Sequence, residues 1–250
     1  MKKVLTNEEI NALKGMNGFH FWTIPKISDE LYDKIAVAVR TIGGTWSERH
    51  NGFIFAEDPT EKIETLISTG TYEITEEHIW REEVQFYPTP NKIASQMVKL
   101  AELVEGDIVL EPSAGRGAIL DLFPANVQKI AVEYDEGNAA ILEAKGHNVI
   151  CGDFLAVKDL NVTKVIMNPP FSKYQDVQHV MHAYSMLKPG GILVAIINEN
   201  TLHRGKTNNS CRRFLEVLKG VKHEIIHLEE GTFSESGTMI NTAIIKMWKR

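Results

Sequence analysis

From residue 84 onward, short β-branched runs alternate with helix-length stretches, and this alternation constrains the fold more than any other feature of the chain. Strands are expected at Ile108–Glu111, Lys129–Glu133, Asn148–Gly152, Lys164–Asn168 and Gly191–Ile197. Helices are expected at Asn91–Leu103, Gly117–Leu122, Gly137–Ala144 and Val177–Leu187, with Pro189-Gly190 breaking the chain before the next strand. Strand, helix and strand in turn is the pattern of a parallel sheet flanked by helices. After Ile197 the pattern changes. A polar stretch, Asn198 to Asn209, leads to a helix at about Cys211–Leu218. Two strand-like segments follow, Glu224–Leu228 and Met239–Trp248, joined by the Gly/Ser-rich Gly231–Gly237. They predict an antiparallel hairpin closing an otherwise parallel sheet.

The first 80 residues read differently. Glu30–Thr41 has helical spacing, with Leu31, Ile35, Val39 and Ile42 on one face. Gly43-Gly44 ends it, Trp46 to Phe55 resembles a hairpin turning at Asn51-Gly52, and a second helix spans about Thr60–Ser68. The expected organisation is a small α+β appendage at 1–80 and an α/β domain at 81–250, with the boundary in the acidic stretch Glu73–Glu83. A chain of 250 residues is long enough for both. Its 43% hydrophobic and 24% charged residues exclude large-scale disorder.

Apolar stretches such as Ile192 to Ile197 are too short to span a bilayer, and the N-terminus lacks the apolar core of a signal peptide. The two cysteines, Cys151 and Cys211, have no CxxC spacing, so neither a metal site nor a disulfide framework is expected. Two free thiols fit a reducing cytoplasm. The net charge of −6 argues against coating nucleic acid non-specifically, though not against a few local phosphate contacts.

Strand Ile108–Glu111 runs into Pro112-Ser113-Ala114-Gly115-Arg116-Gly117, a unit that places a ligand at the carboxyl end of the sheet. A dinucleotide site wants GxGxxG and a helix N-terminus facing a pyrophosphate. Here the third glycine is absent and Glu111 stands at the strand's end, where it would repel phosphate and suit a cation. S-adenosylmethionine carries a sulfonium and an ammonium and no phosphate, and so fits better. Glu133 ends the next strand, where an acid can accept from ribose hydroxyls. Asp153-Phe154 ends the third, where a carboxylate and an aromatic can pair and stack with adenine. Each acid alone is more often a solvated strand end or helix cap. Three at consecutive strand ends point to a nucleoside-type cofactor.

Asn168-Pro169-Pro170-Phe171 follows the fourth strand. The prolines remove two backbone donors and leave rigid carbonyl acceptors, the Asn side chain adds another, and Phe171 adds a flat apolar surface. An aromatic amine is a poor nucleophile because its lone pair is delocalised. Hydrogen bonds from its N–H groups to the Asn168 oxygen and the Pro169 carbonyl would localise that pair without a strong base. Taken without its neighbours, the same run reads equally well as a rigid turn.

With its neighbours, the chain from about Val84 to Lys249 resembles the class I methyltransferases, specifically the amino-methyltransferases carrying (Asp/Asn)-Pro-Pro-(Tyr/Phe). Phe86-Tyr87-Pro88-Thr89-Pro90 is similar to the segment that contacts the methionine end of the cofactor in DNA adenine methyltransferases. Glu111 to Gly117 resembles their cofactor loop, Glu133-Tyr134 and Asp153-Phe154 their ribose and adenine positions, and Asn168–Phe171 their catalytic loop. Leu187-Lys188-Pro189-Gly190-Gly191 resembles the turn before the fifth strand.

The resemblance implies a Rossmann-like, seven-stranded, mostly parallel sheet of order 3-2-1-4-5-7-6 and S-adenosylmethionine as cofactor. It names as cofactor-binding Tyr87, Thr89, Glu111, Pro112, Ser113, Ala114, Gly115, Gly117, Glu133, Tyr134, Asp153, Phe154 and Asn168. Cofactor loop before catalytic loop is the γ-type order, and the overall pattern is most like small adenine-N6 DNA enzymes of phages and mobile elements. The implied activity is methylation of adenine N6 in DNA with the base flipped into the pocket. The alternatives are rRNA adenine-N6 or guanine-N2 methylation, protein glutamine methylation, for which Tyr is usual at position 171, or a cofactor-binding adaptor without catalysis.

γ-type restriction enzymes usually carry a large recognition domain after the catalytic one, whereas this sequence stops at the last strand. Base readout is then expected from the appendage, an inserted loop, a separate specificity subunit or a second copy. Arg204, Lys206, Arg212 and Arg213 form a run without acids that fits phosphate contact or, equally, a solvated loop. Phe233-Ser234-Glu235-Ser236-Gly237-Thr238 resembles a segment lining the flipped-base pocket, with Phe233 either stacking on the base or filling the hairpin's interior. Gly43-Gly44-Thr45-Trp46, Arg49 and Phe53-Ile54-Phe55 resemble a short module preceding similar enzymes in mobile elements.

Overall fold

The computed structural model describes residues 2–18, 21–47, 52–55, 57–74, 87–205, 208–233 and 240–250. They form two compact units, residues 1–83 and the bulk of residues 84–250.

In the first unit β1 (Lys2–Val4) and β6 (Thr71–Glu73) pair antiparallel. A separate antiparallel sheet has the order β2-β3-β5-β4, from β2 (Asn17–Gly18), β3 (Phe21–Thr23), β4 (Thr45–Ser47) and β5 (Gly52–Ile54). Helices α1 (Asn7–Lys14), α2 (Asp29–Thr41) and α3 (Thr60–Thr69) supply Leu13, Ile35, Val39, Ile63 and Leu66 to a core that also encloses Phe53. α2, α3 and the β4–β5 pairing follow the sequence expectation. Arg49, Asn51 and the Trp46 side chain lie outside the described residues. α1 is marked in the sequence at its start alone. Thr6 and Glu9 form a capping box, the Glu9 N–H donating to Thr6 Oγ1 at 3.2 Å and the Thr6 N–H to Glu9 Oε2 at 2.7 Å.

The second unit is a seven-stranded sheet of β7 (Ile108–Pro112), β8 (Gln128–Glu133), β9 (Val149–Cys151), β10 (Val162–Met167), β11 (Leu187–Asn198), β12 (His223–His227) and β13 (Thr242–Trp248). Its order, β9-β8-β7-β10-β11-β13-β12, is the implied 3-2-1-4-5-7-6. All neighbouring pairs are parallel except those of β13, which runs antiparallel to β11 and β12. Helices α4 (Asn91–Leu100), α5 (Glu136–Ala144), α6 (Gln175–Met186) and α7 (Asn209–Gly220) flank it.

A sheet covered on both faces needs strands that are apolar throughout. Val165–Met167 and Ile192–Ile197 are accordingly buried without a break. On one face Leu193, Ala195, Ile197, Ile245 and Met247 meet Val177, Val180 and Ala183 of α6 and Phe214 and Leu218 of α7. Each fully buried Val, Leu, Ile, Met or Phe among them contributes about 1.5–3 kcal/mol. Among the described residues no helix is long and apolar enough to cross a membrane.

Two local expectations need correction. The helix at Gly117–Leu122 is only a single 3-10 turn, Leu120–Leu122. Gly115 and Gly117 take left-handed φ values of 57° and 91°, which α-helix excludes. Pro189-Gly190 does not precede β11 but lies inside it as an irregularity. Val162 pairs with Leu187, yet Lys164 pairs with Ile192, and the intervening residues bulge out.

Candidate active site

The loops after β7, β8, β9 and β10 all leave the same, carboxyl end of the sheet. That is where a doubly wound sheet offers a crevice.

The loop after β7 is shaped by left-handed backbone at Ser113, Gly115 and Gly117. A Cβ on Gly117 would stand 2.9 Å from Asp121 Oδ1 and 3.0 Å from Leu142 Cδ2 on backbone at a φ of 91°, so a side chain there is strained. The loop is tied to its neighbours. The Gly115 N–H donates to Glu133 Oε2 at 2.6 Å, and the Asp135 N–H donates to Glu133 Oε1 at 2.9 Å. Arg116 Nε donates to Asn138 Oδ1 at 3.1 Å, and Lys145 Nζ to the Arg116 carbonyl at 2.7 Å. Each Glu133 oxygen thus already accepts a backbone N–H, and what it keeps for another donor is its second lone pair.

Glu111 is 2% exposed, and its Oε2 has no hydrogen-bond partner. Burial pushes its pKa well above the ordinary carboxylate range, opposed by a hydrogen bond from the Leu120 N–H and reinforced by the negative charges of Asp121 and Glu133. A cation placed beside it would reverse that balance.

Asp153 is exposed and caps the turn Phe154–Ala156, accepting the Leu155 N–H at 2.9 Å. Phe154 departs from expectation. Its ring is 3% exposed and packs on His179 and His182 of α6, with centroids 5.5 and 4.9 Å away. It belongs to the core, with no open face on which an adenine can stack. Tyr134, next to Glu133, is instead 73% exposed and offers such a face.

In the loop after β10, Pro169 and Phe171 are buried and Pro170 is half-buried. Asn168 Nδ2 donates to the Tyr87 carbonyl at 3.3 Å and to Thr89 Oγ1 at 3.1 Å. A carbonyl can only accept, so Tyr87 decides which end of the amide faces it. The other end, Oδ1, is buried and has no partner. Buried polar atoms are seldom left so, and the exceptions need a reason. Lys173 and Tyr174 follow with left-handed φ values of 52° and 60°, and Arg204 donates to the Tyr174 hydroxyl at 3.1 Å.

Arg204 is exposed beyond the turn Glu199–Leu202, and Arg212 and Arg213 are exposed on α7. Lys206, Phe86 and residues 234–238 lie outside the described residues. Phe233 is 1% exposed, so the hairpin-interior reading describes its position and base stacking would require it to leave the interior. Two groups near the site escaped the sequence reading. They are His179 and Asp176, the latter fully buried and accepting the Asn198 N–H at 3.0 Å and the Thr201 hydroxyl at 3.2 Å. A polar residue among the apolar positions of α6 was the available signal.

No protein-family model matches the chain. In fold it is similar to a dimethyladenosine transferase of Plasmodium falciparum, with a TM-score of 0.54 and 16% identity over 66% of this chain and 64% of that one. It is similar too to a Listeria monocytogenes protein described as a class I S-adenosylmethionine-dependent methyltransferase, with a TM-score of 0.53 and 17% identity over 64% and 60% of the two chains. The chain has the class I S-adenosylmethionine-dependent methyltransferase fold.

The 23S rRNA methyltransferase ErmE shares this class I fold, with a TM-score of 0.51 and 17% identity over 66% and 70% of the two chains. In sequence the chain is 27% identical over 194 residues to the type II restriction enzyme and methyltransferase RM.BcgI of Heyndrickxia coagulans. That match takes in 63% of this chain but only 30% of the relative's length. S-adenosylmethionine is the cofactor expected of a class I methyltransferase fold. The groups on the sheet's carboxyl end fit it. Glu111 Oε2 is an orphaned acidic acceptor for a cationic ligand, and the exposed Tyr134 is a flat surface for a base.

Proposed function

We propose that the chain transfers a methyl group from S-adenosylmethionine to the exocyclic N6 amine of adenine in DNA. The observation that carries this reading is the locked Asn168 amide, whose nitrogen is held by Tyr87 and Thr89 while its buried oxygen has no partner. An acceptor fixed in that way suits an amine that must be oriented and has no need of a strong base. The similarity to RM.BcgI, a restriction enzyme and methyltransferase, supports DNA as the substrate.

When bound, S-adenosylmethionine would supply an electrophilic methyl group on a sulfonium, its C–S bond breaking as the amine's N–C bond forms and a neutral thioether leaving. Glu111 would hold the positive charge of the cofactor and Tyr134 its adenine, beside the Gly115–Gly117 loop. Asn168 Oδ1 and the Pro169 carbonyl accept the two N–H groups of the target amine and draw its lone pair out of the ring. The methylated amine then releases a proton, which its low basicity hands to water. Arg204, Arg212 and Arg213, all exposed, contact backbone phosphates. The N-terminal unit, a separate specificity subunit or a second copy reads the sequence around the base.

The test is methyl transfer from radiolabelled S-adenosylmethionine to DNA, rRNA and protein in parallel, with nucleoside analysis of the product. N6-methyladenine in DNA is the expected result. Label in rRNA alone assigns the same chemistry to RNA, and label in protein alone overturns the reading.

A further inference from the structure

Three residues in the loop after β7 hold left-handed backbone, and two of them are glycines. The third is Ser113, with φ of 61°. A non-glycine residue in that region costs on the order of 1 kcal/mol, so a serine there needs a compensating interaction. Its hydroxyl supplies one. Ser113 Oγ lies 3.4 Å from Nδ1 of His179 on α6. His179 is 5% exposed, and its ring also packs on Phe154, in the turn after β9. One turn along α6, His182 packs edge-on against the same phenyl ring and donates from Nε2 to the Val157 carbonyl at 2.8 Å. β7 and β9 are not neighbours, because β8 stands between them. The His179 ring therefore touches directly two loops that are otherwise linked through the end of β8, which the Ala114 and Gly152 N–H groups both bond.

We propose that His179 is a positioning residue for cofactor binding: its contacts with Ser113 and Phe154 fix the spacing between the glycine-rich loop and the Asp153 turn. The inference rests on reading these loops as the S-adenosylmethionine site, and is independent of which molecule accepts the methyl group. Burial lowers the His179 pKa to about 4, so the ring is uncharged near neutral pH and does not repel a cationic ligand. An ordinary core histidine would explain the burial, but not a left-handed serine facing it.

The experiment is a double-mutant cycle read as S-adenosylmethionine affinity by calorimetry, with thermal melting alongside. His179→Phe keeps a ring against Phe154 and removes Nδ1. Ser113→Ala keeps the strained backbone and removes the hydroxyl. Each is expected to weaken affinity by about three- to tenfold, and the pair by no more than either alone. In a Ser113→Gly background, where the backbone is unstrained, His179→Phe should cost less than about twofold. Losses that add, or affinities unchanged by Ser113→Ala, overturn the proposal. Should His179→Phe fail to fold, His179→Leu takes its place in the cycle and the same outcomes decide. Failure of the wild-type chain to bind S-adenosylmethionine would overturn both this inference and the reading beneath it. Binding without methyl transfer to DNA would count against the DNA reading alone.

Discussion

The loops after β7 and β10 leave neighbouring strands at the same end of the sheet, and each surrounds a buried acceptor that lacks a partner. They are built by opposite means. The first is shaped by glycine and left-handed backbone, and the Glu133 carboxylate holds it in place. The second is stiffened by two prolines, and a segment some eighty residues upstream locks its Asn168 side chain. The acceptors differ as well. Glu111 is a carboxylate whose burial resists its charge, a state that a cation relieves. Asn168 offers a neutral oxygen, suited to orienting a donor without titrating. A carboxylate suits binding, where charge supplies affinity, and an amide suits chemistry, where geometry counts.

Mutations can break this division of labour. Asn168→Ala has the largest expected effect, a fall of about 10²–10³ in kcat with cofactor affinity changed by less than about threefold. Steady-state kinetics and calorimetry together check it, and a collapse of affinity would erase the distinction between the loops.

The next effect is on stability against pH. The folded pKa of His179, about 4, lies below its ordinary 6.5, chiefly through burial, with Asp153 opposing and His182 reinforcing the shift. The unfolded chain therefore binds the extra proton first. Stability from this group is present above pH 6.5 and lost as pH falls towards 4, by about 3 kcal/mol in all. Glu111 works in the other direction, because its raised pKa favours the folded state as pH falls towards its ordinary value. Urea unfolding of the wild type and His179→Phe across pH 7 to 4 separates the two contributions. An unchanged slope in the variant would refute the assignment.

Glu111→Gln is expected to weaken S-adenosylmethionine binding by about tenfold, while the ligand-free protein melts no lower than wild type. A large loss of ligand-free stability would mean that the carboxylate serves the fold instead. Gly117→Ala is expected to act on the fold alone, at about 1–3 kcal/mol of stability, from left-handed backbone and from the close approach of Asp121 and Leu142. Thermal melting reads it directly, and an unchanged melting temperature would show that the loop has room to adapt.

Much of this architecture was legible in the sequence. The β-branched runs mark β7 to β11 to within a few residues, and the glycine and diproline loops fall at strand ends as expected. The small strands β1, β2, β3 and β6 were not legible, because segments of two or three residues carry no periodicity. α1 announced itself only through its Thr6–Glu9 capping box. Ring orientation was the main failure at the site. Phe154 reads as a stacking surface and is instead enclosed, Phe233 takes the interior position of its two readings, and Tyr134 is the exposed aromatic. A sequence names an aromatic residue but not the side of the loop to which it turns.

By itself the sequence determined which segments form the main strands, the position of the loops and the residue types that they carry, because propensity, periodicity and turn chemistry are local; the strand order was implied only by the family resemblance. Only the tertiary structure decided which atoms were left over. That Asn168 presents its oxygen depends on Tyr87 and Thr89, and that Glu111 is short of a partner depends on the burial around it. Both are set by groups distant in the chain, since an unsatisfied acceptor is a property of its surroundings and not of the residue that bears it.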